Sequence, residues 1–177
     1  MKLLKFLLLC SAVGMTAIAD RAWGESPYTG LESFVGGVWR ADLPNPKGPS
    51  EVHIDLSFSW ALNHQGIRFD SEFVKGDKHK PYVSGIYAWN PALKKIVMTY
   101  TDSSGSLTEG TVAVADDVVT LSLEEAARDG SLTKVRVVEL KEGTDKFINE
   151  ISVEKDGVLE PVAKVIYIRQ PMADTAP

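Results

Sequence analysis

From Trp39 to Arg169 the chain is a nearly unbroken succession of short runs rich in valine, isoleucine, threonine and aromatic residues, with a turn-forming cluster about every ten positions. This rhythm is the strongest constraint on what the chain can fold into. It predicts an antiparallel meander with strands over 37–43, 51–62, 66–74, 82–90, 94–102, 106–114, 117–125, 131–141, 145–154 and 158–169. No gap between runs is long enough for the crossover helix that joins parallel strands. Val52, Ile54, Leu56, Phe58 and Trp60 alternate with His53, Asp55, Ser57 and Ser59, and Ile67, Phe69, Ser71 and Phe73 with Arg68, Asp70 and Glu72. Strands of this pattern bury one face. An open sheet of so many strands would leave unpaired edges, so the expected fold is all-β, a single antiparallel up-and-down β-barrel of about 8–10 strands.

Turn chemistry fits the same frame. Asp129-Gly130 and Asp156-Gly157 are expected to form type I′ hairpin turns, and Asn90-Pro91, Ser103-Ser104-Gly105, Asp116-Asp117 and Glu142-Gly143 mark others. The stretch 121–128 holds good helix formers and is expected as a strand end or a short helix. Residues 27–34 suit one helical turn, with Leu31 and Phe34 covering a barrel end. Segments 42–50 and 75–81, rich in proline, glycine and charge, are expected as loops forming a mobile rim.

The first residues read as an export signal. Lys2 and Lys5 form a basic start, an apolar run extends to Ile18, and Ala17-Ile18-Ala19 offers a small-x-small cleavage pattern. The alternative is lipidation of Cys10, against which Leu9 stands where a small residue is expected. Cleavage after Ala19 leaves 158 of the 177 residues and shifts the formal charge from −5 to −7, because Lys2 and Lys5 are lost. The expected organisation is a signal over 1–19, an N-terminal segment over 20–36, the barrel over 37–170 and a tail over 171–177, in a secreted or periplasmic protein. Cys10 is the chain's one cysteine, so the mature form has no disulfide, no cysteine nucleophile and no thiolate metal site. The acidic balance argues against nucleic acid as a partner. No later apolar run reaches the length of an integral membrane helix.

Gly37-Val38-Trp39 at the first strand and Arg169 at the end of the last resemble the closure of the calycin superfamily, the lipocalins and their relatives. In that superfamily a first-strand tryptophan packs under a last-strand arginine. The stretch Gly85-Ile86-Tyr87-Ala88-Trp89-Asn90-Pro91, with the strand ending at Asp102, is similar to secreted bacterial lipocalin-like domains of unknown function. The resemblance implies a barrel closed by Gly37, Trp39 and Arg169, and a small-molecule carrier as one of several activities the architecture supports.

The residues themselves suggest a non-covalent site. Trp60, Phe69, Tyr87, Trp89, Met98 and Tyr100 are the candidates for an apolar lining, with Arg68, Asp70, Tyr100 or Glu109 orienting a small apolar or amphipathic ligand at the mouth. Ordinary core packing is the alternative for the aromatic set. A barrel enzyme, an isomerase or lyase using His53 with Asp55 or Asp70, is a second reading. A protein-interaction module with a filled barrel is the third. His53, His64 and His79 do not stand at metal-motif spacing, and no nucleophile elbow or phosphate loop is present, so the expectation is no metal, no cofactor and no catalytic residue.

Overall fold

The computed structural model describes residues 26–46 and 48–171, so the expected export signal and all but the first residue of the tail lie outside the described residues. The chain forms ten strands: β1 (Val38–Asp42), β2 (His53–Ala61), β3 (Gly66–Lys75), β4 (Lys78–Asn90), β5 (Lys95–Asp102), β6 (Leu107–Ala115), β7 (Val118–Ala126), β8 (Leu132–Lys141), β9 (Lys146–Lys155) and β10 (Val158–Gln170). Each pairs antiparallel with its sequence neighbour, and β1 also pairs with β10, closing an up-and-down barrel. Every edge is thereby consumed.

In β2 and β3 the apolar phase faces the axis. Ile54, Leu56, Phe58 and Trp60 stand opposite Phe73, Ser71, Phe69 and Ile67 across the β2–β3 ladder. The 121–128 segment is strand as far as Ala126, since pairing with both β6 and β8 outweighs local helix preference. The expected rim loop at 75–81 is instead a tight hairpin: β3 continues to Lys75, the chain turns at Gly76 (φ 55°), and β4 begins at Lys78. Pro81 is accommodated because a register shift between Ser71 and Glu72 relieves the regular ladder. Asp156 and Gly157 both have positive φ (51° and 79°), as a type I′ turn requires. At Asp129-Gly130 only the glycine does, because Ala127 and Ser131 close a longer loop and Asp129 accepts hydrogen bonds from Ser131.

One end of the barrel is plugged. Residues 26–37 lead into the first strand across that end through a 3-10 turn (Glu32–Phe34), burying Tyr28, Leu31 and Phe34. Phe34 lies between Phe58 (5.5 Å between ring centroids) and Phe147 (5.0 Å), and Phe147 stacks on Tyr167 at 4.7 Å. The Trp39 indole donates to the Phe34 carbonyl (2.9 Å), while the Arg169 guanidinium sits over that indole at 4.1 Å. Arg169 also donates to the carbonyls of Gly36 (2.6 Å) and Ser33. One side chain therefore ties the last strand, the first strand and the plug together. Gly37, at φ 73°, takes the left-handed turn beside that guanidinium.

Candidate functional site

The two ends of the barrel interior differ in burial. Toward the plug, the inward side chains Trp39, Phe58, Ile67, Tyr87, Ile96, Val112, Val119 and Phe147 are buried. Toward the other end, Phe73, Val83, Tyr100, Val135, Val137, Ile151 and Val165 occupy the same inward phase and are part-buried, while Ala41, Ile54, Leu56, Leu123 and Thr108 beside them are buried. Inward side chains that stay part-exposed at the unplugged end leave room between them for a small molecule entering from that end. An interior wider than that of an eight-stranded barrel is hard to fill with side chains, and here the filling stops partway.

The hollow therefore has a floor, a wall and a mouth. On β8 the order along the inward face is Val135, Val137, Glu139, Lys141. Lys141 belongs to the plug: its ammonium donates to the Gly30 carbonyl (3.2 Å) and lies 5.9 Å from the Phe34 ring. Glu139, 4% exposed, is thus the last inward residue above the plug, opposite Asn149 on β9 and Val119 on β7. Burial pushes its carboxyl up to about 7, with the Asn149 amide and the Lys141 charge pulling weakly the other way. The Tyr87 and Tyr167 phenols are raised in turn, first by burial and then by the Glu139 charge.

The wall carries carbon and phenol. Phe69 packs between Phe58 (6.2 Å), Tyr87 (5.2 Å) and Tyr100 (6.1 Å). Gly85 makes this crossing possible, because a Cβ there would lie 2.4 Å from Tyr100 Cβ and 2.5 Å from Phe69 Cζ. Thr108, 1% exposed between Tyr100 on β5 and Glu125 on β7, keeps its hydroxyl without a hydrogen-bond partner of full geometry. At the mouth Tyr82 leaves the bulge to pack on Phe73 (4.6 Å), and burial, then Asp102 and Glu125, raise its phenol. Asp102 itself is held low by Ser104 and by backbone amides of the 103–106 turn, which it caps.

Of the side chains expected to line the site, Phe69, Tyr87 and Met98 are buried in the interior and Tyr100 is part-buried beside the hollow. Trp60 and Trp89 stand at the plugged end instead. There they border a separate recess of about 720 Å³ with Tyr28 and His64, and His64 stacks on Trp60 at 4.5 Å. Arg68, Asp70 and Glu109 do not orient anything at the mouth, since they occupy the outward phase of their strands. Arg68 grips Asp70 in a two-pronged ion pair (2.7 and 3.0 Å), and Ser84 donates to the same carboxylate. His53 and Asp55 are also outward, so no barrel-interior acid–base pair can be made from them. The Asp55 carboxylate is taken by Arg40 (2.8 Å to each oxygen), with His53 Nε2 3.6 Å away. Asp55 and Asp70 border a groove of about 510 Å³ along β1–β5 that Leu56, Ser71, Val83 and Tyr82 also line; its acids Asp55, Asp70 and Glu72 have basic partners, and Asp102 caps the 103–106 turn. Among the described residues no cluster of three or more His, Cys, Asp or Glu is arranged to hold a metal ion, and no helix is long and apolar enough to cross a membrane.

Glu139, Asn149 and Thr108 are the site residues that strand reading alone passed over. The signal is phase: counting in twos from Val135 and Val137 reaches Glu139, but Val138 and Leu140 make the opposite phase look like the buried one.

No family model matches the chain, and no curated protein does. Among solved structures it is similar to the crystal structure of Rv2717c from M. tuberculosis, at 13% sequence identity and a TM-score of 0.53, covering 82% of this chain and 98% of that one. The likeness is one of fold.

Proposed function

We propose that the protein is an exported, non-covalent carrier that holds a small apolar or amphipathic molecule in the unplugged half of its barrel. The observation that supports this most directly is the row of part-buried inward side chains, Val83, Val135, Val137, Ile151 and Val165, on the unplugged side of the buried Glu139. Such a space offers desolvation against carbon with a few polar groups for orientation, the usual composition of a small-molecule site. The export-signal pattern at 1–19 and the calycin-like closure at Gly37, Trp39 and Arg169 agree with a periplasmic or secreted carrier.

The test is fluorescence titration with N-phenyl-1-naphthylamine, a neutral apolar probe, on the parent protein and on Val137→Trp. The larger indole fills the hollow, so probe affinity is expected to fall about tenfold or more, a loss of at least ~1.4 kcal/mol. Equal affinity in both proteins, with folding unchanged by circular dichroism, refutes a ligand seated in the barrel. Native mass spectrometry of the protein purified from its own cells would then identify the retained molecule.

A further inference from the structure

The distribution of charge along the inward face narrows the ligand class, on the premise that the hollow is the binding site. Two cations of the barrel proper lie in the inward phase at the plugged end, and both are spent on the plug: Lys141 on the Gly30 carbonyl, Arg169 on Gly36 and Ser33. Lys78 and Lys80 on the β3–β4 hairpin and Lys155 at the end of β9 lie at the opposite rim, far along the strands from Glu139, and are exposed. The acids are distributed otherwise. Glu139 is at the floor with Asn149 beside it, and Glu125 flanks the mouth across from Thr108. Two further groups have hydrogen-bonding capacity to spare: Asn149 Oδ1 is buried without a partner, and Thr108 Oγ1 has only the Tyr100 phenol, short of full geometry. At the floor a carboxylate head would meet like charge, and the cation beside it, Lys141, is already spent on the plug. A donor-bearing head would meet a carboxylate, an amide oxygen and a hydroxyl.

We propose that the hollow selects amphipathic molecules whose polar end donates hydrogen bonds, alkyl amines above alcohols, with the head seated against Glu139, and that it rejects fatty-acid carboxylates.

The experiment is displacement of N-phenyl-1-naphthylamine by dodecylamine, dodecanol and dodecanoate, each below its micelle concentration, at fixed salt. Dodecylamine is expected to displace the probe at a concentration about tenfold or more below that of dodecanoate, with dodecanol between them. Glu139→Gln should still bind the probe but bring dodecylamine to within about threefold of dodecanol. Glu109→Gln, which removes an outward acid, should leave the order and spacing as in the parent and so excludes general attraction of amines to an acidic protein. Dodecanoate competing as well as dodecylamine overturns the proposal, and so does an amine preference that survives Glu139→Gln. A probe that never binds the parent removes the hollow itself as a site, and this proposal with it. Binding of the probe without head-group preference removes only the proposal.

Discussion

Replacing Glu139 by glutamine tests whether a carboxyl is truly shut inside the barrel, through the pH dependence of stability. The group's ordinary value is 4.5 and burial raises it to about 7 in the folded protein. Folding therefore takes up a proton wherever pH lies between those values. The sign follows: the folded state suffers no penalty from this group below pH 4.5, loses stability as pH rises from 4.5 toward 7, and is level above that. The full difference is about 3 kcal/mol at 1.36 kcal/mol per pKa unit, of which roughly 2–3 kcal/mol falls between pH 5 and pH 8. The groups facing the carboxyl are Lys141 on its own strand, Asn149 on β9, Tyr87 on β4 and Tyr167 on β10. Both phenols are displaced upward, away from that window.

The assay is thermal unfolding by circular dichroism at pH 5, 6, 7 and 8 for the parent and for Glu139→Gln. An amide of the same shape keeps a partner in Asn149 and carries no charge at any of these pH values. At about 2–4 °C per kcal/mol for a domain of this size, the variant should melt some 5–10 °C above the parent at pH 8 and close to it at pH 5. His53, His64 and His79 are common to both proteins, so their contribution cancels in the difference. Parallel melting curves for the two proteins from pH 5 to pH 8 would refute the reasoning, because an exposed or well-solvated carboxyl would give no such divergence.

Arg169→Met removes a cation–π contact and two charged hydrogen bonds to plug carbonyls, about 2–4 kcal/mol together after partial rehydration, so the melting temperature should fall by about 5–15 °C. Arg169→Lys should recover less than half of that loss, since a compact ammonium cannot lie flat on Trp39 and fork to two carbonyls at once. Gly85→Ala places a methyl 2.4 Å from Tyr100 Cβ and 2.5 Å from the Thr99 carbonyl, and urea unfolding should show a loss of about 1–3 kcal/mol. Adding Phe69→Leu should return little of it, because two of the three close contacts are not with Phe69.

The barrel was legible because burial on one face of a strand imposes a period of two, and this chain obeys it through most of its length. Val52 to Trp60 and Ile67 to Phe73 already identify the inward rows and, once the hairpins pair them, their register. The closure was legible through a resemblance, the pairing of a first-strand Gly37 and Trp39 with a last-strand Arg169, and the guanidinium does sit 4.1 Å above the indole. What misled was local composition. Lys75 to Pro81 looks like a loop because charge, glycine and proline crowd there, yet a bulge absorbs the proline and the hairpin continues. A single strand cannot announce that its neighbour will shift register.

The floor of the hollow was hidden by the outer surface. Near the plugged end of β8, Val138 and Leu140 face outward, where Leu140 pairs with Ile148 and Ile148 with Ile166, an apolar patch on the outside of the barrel. That patch inverts the apparent phase, so Glu139 and Lys141 read as solvent-facing although one is 4% exposed and the other reaches the plug. The inversion has a physical consequence. Apolar residues there would have let the core continue upward and close the interior, as it does around Phe147, whereas a carboxyl and an amide cannot be packed over without leaving polar atoms unpaired. Under the proposed carrier function, the buried carboxyl and amide are the groups that a ligand's polar end would satisfy.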